Sequence, residues 1–263
     1  MRLLVTGGRT GYLGRRVVTY AVAHADGHEV VPVGSGDVDV RDRAVVAALV
    51  ARHRPDAIIH TAYVQADHEV TATGAAHVAL AAAEAGARMV LVSSDVVFGG
   101  ADHPYDEAAP TDPVSAYGQA KVAAEQAVLT TCPDGVVART SLILGDGRSQ
   151  HERLVHDLAG GSEGGLFEDE RRCPVHVGDL AQALVELAGN DVRGVLHVAG
   201  ADGMSRYELG RLIARRDGLD ADRLHPTSRV ALAVPGPVDV RLDSTLASTL
   251  LSTRLRGARE FLA

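Results

Sequence analysis

Lysine is all but missing from this 263-residue chain: of 26 basic residues one, Lys121, is a lysine and the rest are arginines. Tryptophan is absent and aromatics make up only 3%, which leaves little for stacking on nucleic-acid bases. The net charge of −8 likewise argues against a nucleic-acid backbone as partner. Two cysteines, Cys132 and Cys173, cannot build a disulfide framework and show no zinc-ligand spacing. They suit a reducing, cytoplasmic setting, and no metal is expected. No apolar run reaches the roughly 18 residues of a membrane span, and Met1 leads directly into a strand-like segment instead of a signal peptide. What is present is 46% hydrophobic sequence, enough at this length to bury a core in one large or two closely packed domains without staples.

Strand-like and helix-like patterns alternate through the first half. Residues 2–6 (RLLVT) are an apolar run ending in glycines, and 12–25 place Leu13, Val17, Ala21 and Ala25 on one helix face. Val30, Val31 and Val33 read as a second strand, and 45–53 as a helix stopped by Pro55. A third strand is expected at 57–60, an Ala-rich helix at 68–86, and a fourth strand at 89–92 running into Ser93-Ser94-Asp95. A helix at 114–129 and a strand at 136–138 follow. In the second half, helices are expected at 149–159, 179–189, 205–216 and 244–251, with strands near 174–177 and 194–198. This alternation predicts an α/β fold: a Rossmann-like, doubly wound parallel sheet with a small C-terminal substrate lobe. Residues 1–140 read as the dinucleotide domain. Residues 141–263 read as the lobe, interleaved with the last elements of the first domain.

Three motifs carry chemistry. Between the first strand and helix stands Thr6-Gly7-Gly8-Arg9-Thr10-Gly11-Tyr12-Leu13-Gly14, spaced Gly8-x-x-Gly11-x-x-Gly14. Glycines there let backbone N–H groups and a helix N-terminus approach a pyrophosphate. The second motif is Tyr117-Gly118-Gln119-Ala120-Lys121. One helical turn sets phenol and ammonium on a shared face, where a cation lowers a Tyr pKa and prepares an acid–base pair for carbonyl–alcohol interconversion. With six tyrosines, chance sets the sole lysine four residues after one of them in roughly 2% of cases, so the pair carries weight as a helix-face pair. The third is Ser93-Ser94-Asp95 at a strand's carboxyl end, where open parallel sheets bind ligands. A serine there also serves as a plain helix cap or turn residue.

Together these residues resemble the extended short-chain dehydrogenase/reductase family, and within it the dTDP-4-dehydrorhamnose reductases and related sugar-nucleotide-modifying proteins. The likeness extends through HTAYVQAD (60–67), SSDVVFGG (93–100), RTSLILGDG (139–147), RRCPVHVGDLAQAL (171–184) and RLDSTLA (241–247). It implies catalytic roles for Ser94, Tyr117 and Lys121, and substrate contacts at Ser94, Asp95, Leu142 and Arg172. It implies cofactor contacts at Gly8, Arg9, Gly11, Tyr12, Leu13 and Gly14, at Asp39 and Val40 beside adenine, at Thr61, Ala62 and Tyr63, and at Tyr117 and Lys121. The substrate is then a small molecule, in the first instance a nucleotide sugar. An epimerase with an internal redox cycle, or a regulatory subunit that only binds nucleotide, would share the scaffold. A homo-oligomer is compatible with all three.

Two departures bear on specificity. Leu142 stands where the rhamnose-pathway reductases place a Trp against the substrate, which implies a ligand fixed by charge and shape more than by stacking, with Arg148, Arg153, Arg171 and Arg172 nearby. The second strand ends Val33-Gly34-Ser35-Gly36 with no carboxylate until Asp37, while Arg9 and Ser35 offer donors to a 2′-phosphate. NADP(H) is therefore expected over NAD(H), with Asp37 as the rival. Arg139 reads equally as a phosphate contact or a salt-bridged strand end. The twelve histidines, including the pairs His24/His28 and His151/His156, read as solvated or core residues. The acidic stretch Glu168-Asp169-Glu170 reads as a solvated loop, with ordering of a neighbouring substrate loop as the alternative.

Overall fold

The computed structural model describes residues 1–24 and 29–263, so Ala25 and His28 lie outside the described residues. Six parallel strands form the central sheet: β1 (Arg2–Thr6), β2 (Glu29–Val33), β3 (Ala57–His60), β4 (Arg88–Ser94), β5 (Val136–Thr140) and β6 (Gly194–His197). Their order across the sheet is β6-β5-β4-β3-β1-β2, so the winding reverses between β1 and β3. That reversal opens a crevice beyond the strands' carboxyl ends.

Side-chain alternation along each strand explains the two helical layers. Leu3, Val5, Ile59 and Val90 face one layer, where α1 (Tyr12–Ala23) brings Val17 and Ala21 and α6 (Val177–Gly189) brings Leu180, Leu184 and Leu187. Leu4, Ile58, Met89 and Leu91 face the other. There α2 (Arg43–His53), α3 (Gly74–Ala85) and α4 (Ala116–Thr131) contribute Val46 and Val50, Val78 and Ala82, and Ala124 and Val128. Helix α2 starts two residues earlier than its apolar spacing predicts, because the Asp42 carboxylate accepts from the N–H groups of Ala44 and Val45. The expected helix at 68–86 is divided: Glu69–Thr73 winds as a π-turn before α3. In that turn the Thr71 hydroxyl reaches back to the Val64 carbonyl (2.9 Å).

After β5 the chain leaves the sheet to build α5 (Gln150–Gly160), returns through α6 and β6, and leaves again for α7 (Arg206–Arg216). Helices α5 and α7 pack through Val155, Leu158, Leu209 and Ile213 around Leu166 and Met204, forming a separate small core. Two-residue strands stitch this lobe: 143–144 on 175–176, 166–167 on 226–227, and 171–172 antiparallel to 204–205. Serines 149 and 205 each close a capping box, with Glu152 and Glu208. No helix among the described residues is long and apolar enough to cross a membrane.

Candidate active site

The glycine loop is shaped by what lies against it. Gly7 has φ +70°, a region an L-side chain rarely adopts, and a Cβ there would stand 2.6 Å from Thr61 Oγ1. Any Cβ on Gly14 would run into the Gly7 carbonyl, so the first turn of α1 sits directly on the loop. Helix α1 is preceded by Gly11, which offers no side-chain cap and leaves the helix's first N–H groups open. That open end and the side-chain-free cradle fit a dinucleotide pyrophosphate. At the same end of the sheet, Thr61 Oγ1 donates to the Thr6 carbonyl (2.6 Å) and Thr6 Oγ1 meets His60 Nδ1 (2.8 Å). Tyr12 donates to Asp146 Oδ1 (2.7 Å), while Arg16 holds Asp146 Oδ2 (2.8 Å).

From this cradle a cleft of about 960 Å³ runs between sheet and lobe. Thr10, Gly11, Tyr12, Leu13, Gly14, Thr61, Tyr63, Ser94, Asp95, Tyr117, Lys121, Leu142 and Arg172 all line it. Gly118 explains how α4 comes so close: a Cβ there would overlap the Val96 carbonyl, so glycine lets Tyr117 approach the segment carrying Ser94. Ser115 caps the helix by accepting from Gly118 N (3.0 Å). Lys121, 4% exposed, donates from Nζ to the Val92 carbonyl (2.9 Å). Its ammonium lies 5.0 Å from the Tyr63 ring centre and 5.8 Å from that of Tyr117. Tyr63 and Tyr117 stand 5.7 Å apart, centre to centre.

Burial lowers the Lys121 pKa to about 8, partly opposed by the Glu125 carboxylate one turn along α4. The expectation that Lys121 pulls the Tyr117 pKa down is not met in the protein alone. Burial raises it, and Tyr63 and Asp95 add to the rise, so Tyr117 rests as a protonated phenol. Ser94 Oγ donates to Asp95 Oδ1 (3.2 Å) and accepts from Val96 N (3.4 Å), combining the hydroxyl and cap roles. Asp95 also accepts from Ser141 Oγ (2.6 Å), and burial raises its pKa despite the neighbouring Arg172.

Arg172 Nε stands 3.5 Å from Asp95 Oδ2, and its Nη groups donate to the carbonyls of Arg171, Pro237 and Val238. Its charge thus faces Asp95 while its hydrogen bonds clamp the 237–238 segment. Arg139 proves to be the salt-bridged strand end: it holds Glu125 bidentately (2.7 and 3.0 Å), and Ser93 Oγ adds a third bond to that carboxylate (2.5 Å). The 168–170 stretch is not simply a solvated loop. Asp169 accepts from Ser228 Oγ and the N–H groups of Arg229 and Val230, and buried Glu170 accepts from Arg229 Nε (2.9 Å).

Gly8, Arg9, Ser35, Asp39, Val40 and Ala62 do not line this cleft. Most of them gather beyond it, near the end of β2. Gly8 N donates to the Val33 carbonyl (3.0 Å), and Arg9 Nε pairs with Asp37 Oδ2 (2.8 Å). Arg41 hydrogen-bonds the exposed Asp39 and holds its carboxyl down to about 2. Val40 is buried against Gly74. Pattern reading passes over the cleft residues Arg206 and Arg229, and it names His151 and Glu170 without placing them in the cleft. No spacing rule marks them, because they meet only through the fold of the lobe. Both cysteines are buried and free, and no three His, Cys, Asp or Glu among the described residues could hold a metal.

Comparison with known proteins identifies the family and the fold. A dTDP-4-dehydrorhamnose reductase of Mycobacterium tuberculosis is 34% identical over 253 residues, covering 90% of this chain and 82% of its own. The methionine adenosyltransferase 2 subunit beta of Xenopus laevis is 30% identical, covering 92% and 80%. The crystal structure of a Bacillus anthracis dTDP-4-dehydrorhamnose reductase in complex with NADP shares the fold, with a TM-score of 0.90 at 24% identity and coverage of 99% and 96%. The RmlD substrate binding domain description matches residues 1–263, from the glycine loop to the last helix of the lobe, and the chain belongs to that family.

Proposed function

We propose that this protein reduces a keto group on a nucleotide-linked sugar, or a comparable small molecule, with a nicotinamide cofactor. One observation carries the reading: a single face of α4 sets Tyr117 and the chain's only lysine in one cleft with Ser94, beside an uncapped glycine cradle. The names of the reductase relatives support it. The cradle of Gly11, Tyr12, Leu13 and Gly14, with Thr61 and Tyr63, would hold the cofactor, and a bound nicotinamide supplies the hydride. Residues 1–140 then serve as the dinucleotide domain and 141–263 as the substrate lobe.

Ser94 Oγ polarises the carbonyl, and the protonated Tyr117 phenol donates to the forming alkoxide. The buried Lys121 ammonium offsets the phenolate charge left behind and has donors beyond its Val92 bond for a nicotinamide ribose. Asp95 and Arg172 flank the substrate, and Leu142 gives an aliphatic wall in place of a stacking surface. We take NADPH as the preferred cofactor. Asp37 Oδ2 is engaged by Gly34 N (2.8 Å) and by Arg9, which leaves Asp37 poorly placed to accept from ribose hydroxyls. Two reduced, buried cysteines suit a cytoplasmic protein.

The Xenopus relative, named as a subunit of another enzyme, favours a second reading: a regulatory, nucleotide-binding subunit. A pure binder has no chemical need of a desolvated ammonium beside a phenol, so the intact set favours catalysis. An epimerase would use the same three side chains. The test is to mix the protein with NADPH and a panel of 4-keto sugar nucleotides and simple ketones, following loss of reduced-nicotinamide absorbance. Turnover on at least one member is expected. Tight NADPH binding without turnover on any would establish the binding reading instead.

A further inference from the structure

The proposed reaction uses Ser94 and leaves its neighbour Ser93 without a part. Ser93 shares a strand face with Met89 and Leu91, toward α4, and its Oγ donates to Glu125 (2.5 Å). Arg139, its cross-strand partner on β5, closes on the same carboxylate through Nε and Nη2 (3.0 and 2.7 Å). All three side chains are buried. Glu125 thus joins β4, β5 and α4 next to the strand end that carries Ser94, and stands one helical turn from Lys121.

A buried ion pair is a weak device for stability, because desolvation offsets most of its attraction. Its place beside the reacting groups gives it another use. Lys121 is 4% exposed and Glu125 2%, and the ammonium has a carbonyl, not a carboxylate, as its hydrogen-bond partner. The other groups around it bring no negative charge. They are His60 from β3, whose own pKa burial and Lys121 lower to about 3, and the rings of Tyr63 and Tyr117. Asp95 acts on Tyr117. Among the described residues Glu125 is therefore the one carboxylate that favours the charged form of Lys121 against burial. The pair is also oriented. Glu125 shares α4 with Lys121, whereas Arg139 reaches in from β5, and only the carboxylate moves the lysine's proton equilibrium.

We propose that Glu125, fixed by Arg139 and Ser93, is a positioning residue of the reductase: its carboxylate keeps Lys121 an ammonium beside Tyr117. The inference rests on the keto-reduction reading above and deepens it, adding a residue that lies outside the cleft lining. When Tyr117 gives up its proton, the phenolate left behind needs a neighbour that is still a cation. Without Glu125, burial would leave Lys121 neutral through more of the range in which the phenol donates. Arg139 and Ser93 hold the carboxylate at its post, so it acts on Lys121 without pairing with it directly.

Two readouts on the full-length protein test it. One is the ¹³C-lysine titration, in which the sole lysine gives one side-chain signal; the other is the pH profile of kcat/KM with NADPH and a ketone that turns over. In Glu125→Gln the lysine midpoint should drop by about one pH unit from its native value near 8, as expected on losing one close opposite charge. The alkaline limb of kcat/KM should move with it, so that turnover falls about threefold at pH 7.5 and hardly at pH 6. A merely structural glutamate would lower the plateau and the unfolding midpoint while the lysine midpoint and the alkaline limb stay put; that result overturns the proposal. Should Glu125→Gln fail to fold because Arg139 is left buried and unpaired, Glu125→Gln/Arg139→Leu removes both charges and should show the same drop. An unmoved lysine midpoint in that variant likewise overturns the proposal. A lowered lysine midpoint, with no turnover of any ketone by the native protein, would keep the hold of Glu125 on Lys121 and remove the reductase reading.

Discussion

The two walls of the cleft hold buried charge in different ways. Behind the sheet wall Glu125 has a single arginine partner, Arg139, both at most 5% exposed, and the cleft-lining Lys121 bonds a neutral carbonyl. On the lobe wall charge is shared, with Glu170 facing Arg172, Arg206 and Arg229 at once. Paired charge cancels in sum at Glu125 and Arg139 but leaves the Lys121 ammonium uncancelled on the sheet wall, whereas sharing leaves a positive surplus around Glu170. The sheet wall is the one that carries Tyr117, Lys121 and Ser94, where a proton must be delivered to one atom.

Removing one arginine from each wall separates the two arrangements. Arg139→Leu leaves Glu125 buried with only the Ser93 hydroxyl, so stability should fall by about 3–5 kcal/mol, the cost of an uncompensated buried charge. Arg229→Leu leaves Glu170 with two other arginines and should cost about 1–2 kcal/mol, comparable to losing one charged hydrogen bond. Urea unfolding of both variants measures the difference. Equal losses would show that the sheet wall is no more exclusively paired than the lobe.

Function should divide along the same line. Tyr117→Phe keeps the ring against Tyr63 and removes only the proton, so turnover should fall about 100-fold or more while NADPH affinity and unfolding midpoint stay put. Lys121→Arg should also be impaired, because a planar fork does not fit the closed space that a compact ammonium occupies beside the Val92 carbonyl. Steady-state kinetics and cofactor titration on each variant are the measurements. Near-normal turnover in Tyr117→Phe would remove the proposed acid.

The sheet wall was also the more legible one in the sequence, and for a physical reason. Leu3, Val5, Val17 and Ala21 repeat at strand and helix periods, and Tyr117 and Lys121 are one turn apart on a single helix, so local spacing already encodes their neighbourhood. Glu170, Arg206 and Arg229 meet from three segments joined by two-residue strands too short to show a period. Arg139 was undecided because its partner, Glu125, lies on a different element. The missed direction of the Tyr117 pKa has a similar origin. The helix spacing shows the nearby ammonium, but not the burial, nor the approach of Tyr63 and Asp95, that raises the phenol's pKa.

The burial of Lys121 should be visible in its titration. The chain has one lysine, so ¹³C-lysine labelling gives a single side-chain signal that needs no assignment. Its midpoint should fall near 8 instead of the ordinary 10.5. The sign follows from burial: the folded protein binds this proton less readily than the unfolded chain. The Lys121 contribution to stability therefore rises with pH between about 8 and 10.5, while kcat/KM, which needs the charged form, falls above about 8. A midpoint near 10.5 would mean the ammonium is solvated and the wall more open than its packing indicates.

The weakest effect belongs to the rim at the end of β2, where charge is paired but not buried. Arg9 is 58% exposed and Asp37 32%, so their attraction is screened and small. A 2′-phosphate would draw on Arg9 in competition with Asp37. Arg9→Ala should weaken NADPH by about 3–10-fold, as expected for one partly exposed charged contact, and leave NADH nearly unchanged. Asp37→Asn should act in the opposite direction and by less, because it releases the half-exposed Arg9 from a carboxylate while its amide oxygen still accepts from Gly34 N. Both effects should shrink as salt is raised, unlike those of Arg139→Leu on the buried wall. Fluorescence titration of each variant with both cofactors decides the matter. NADH binding more tightly than NADPH, and indifferent to Arg9→Ala, would assign this rim to the ribose hydroxyls through Asp37.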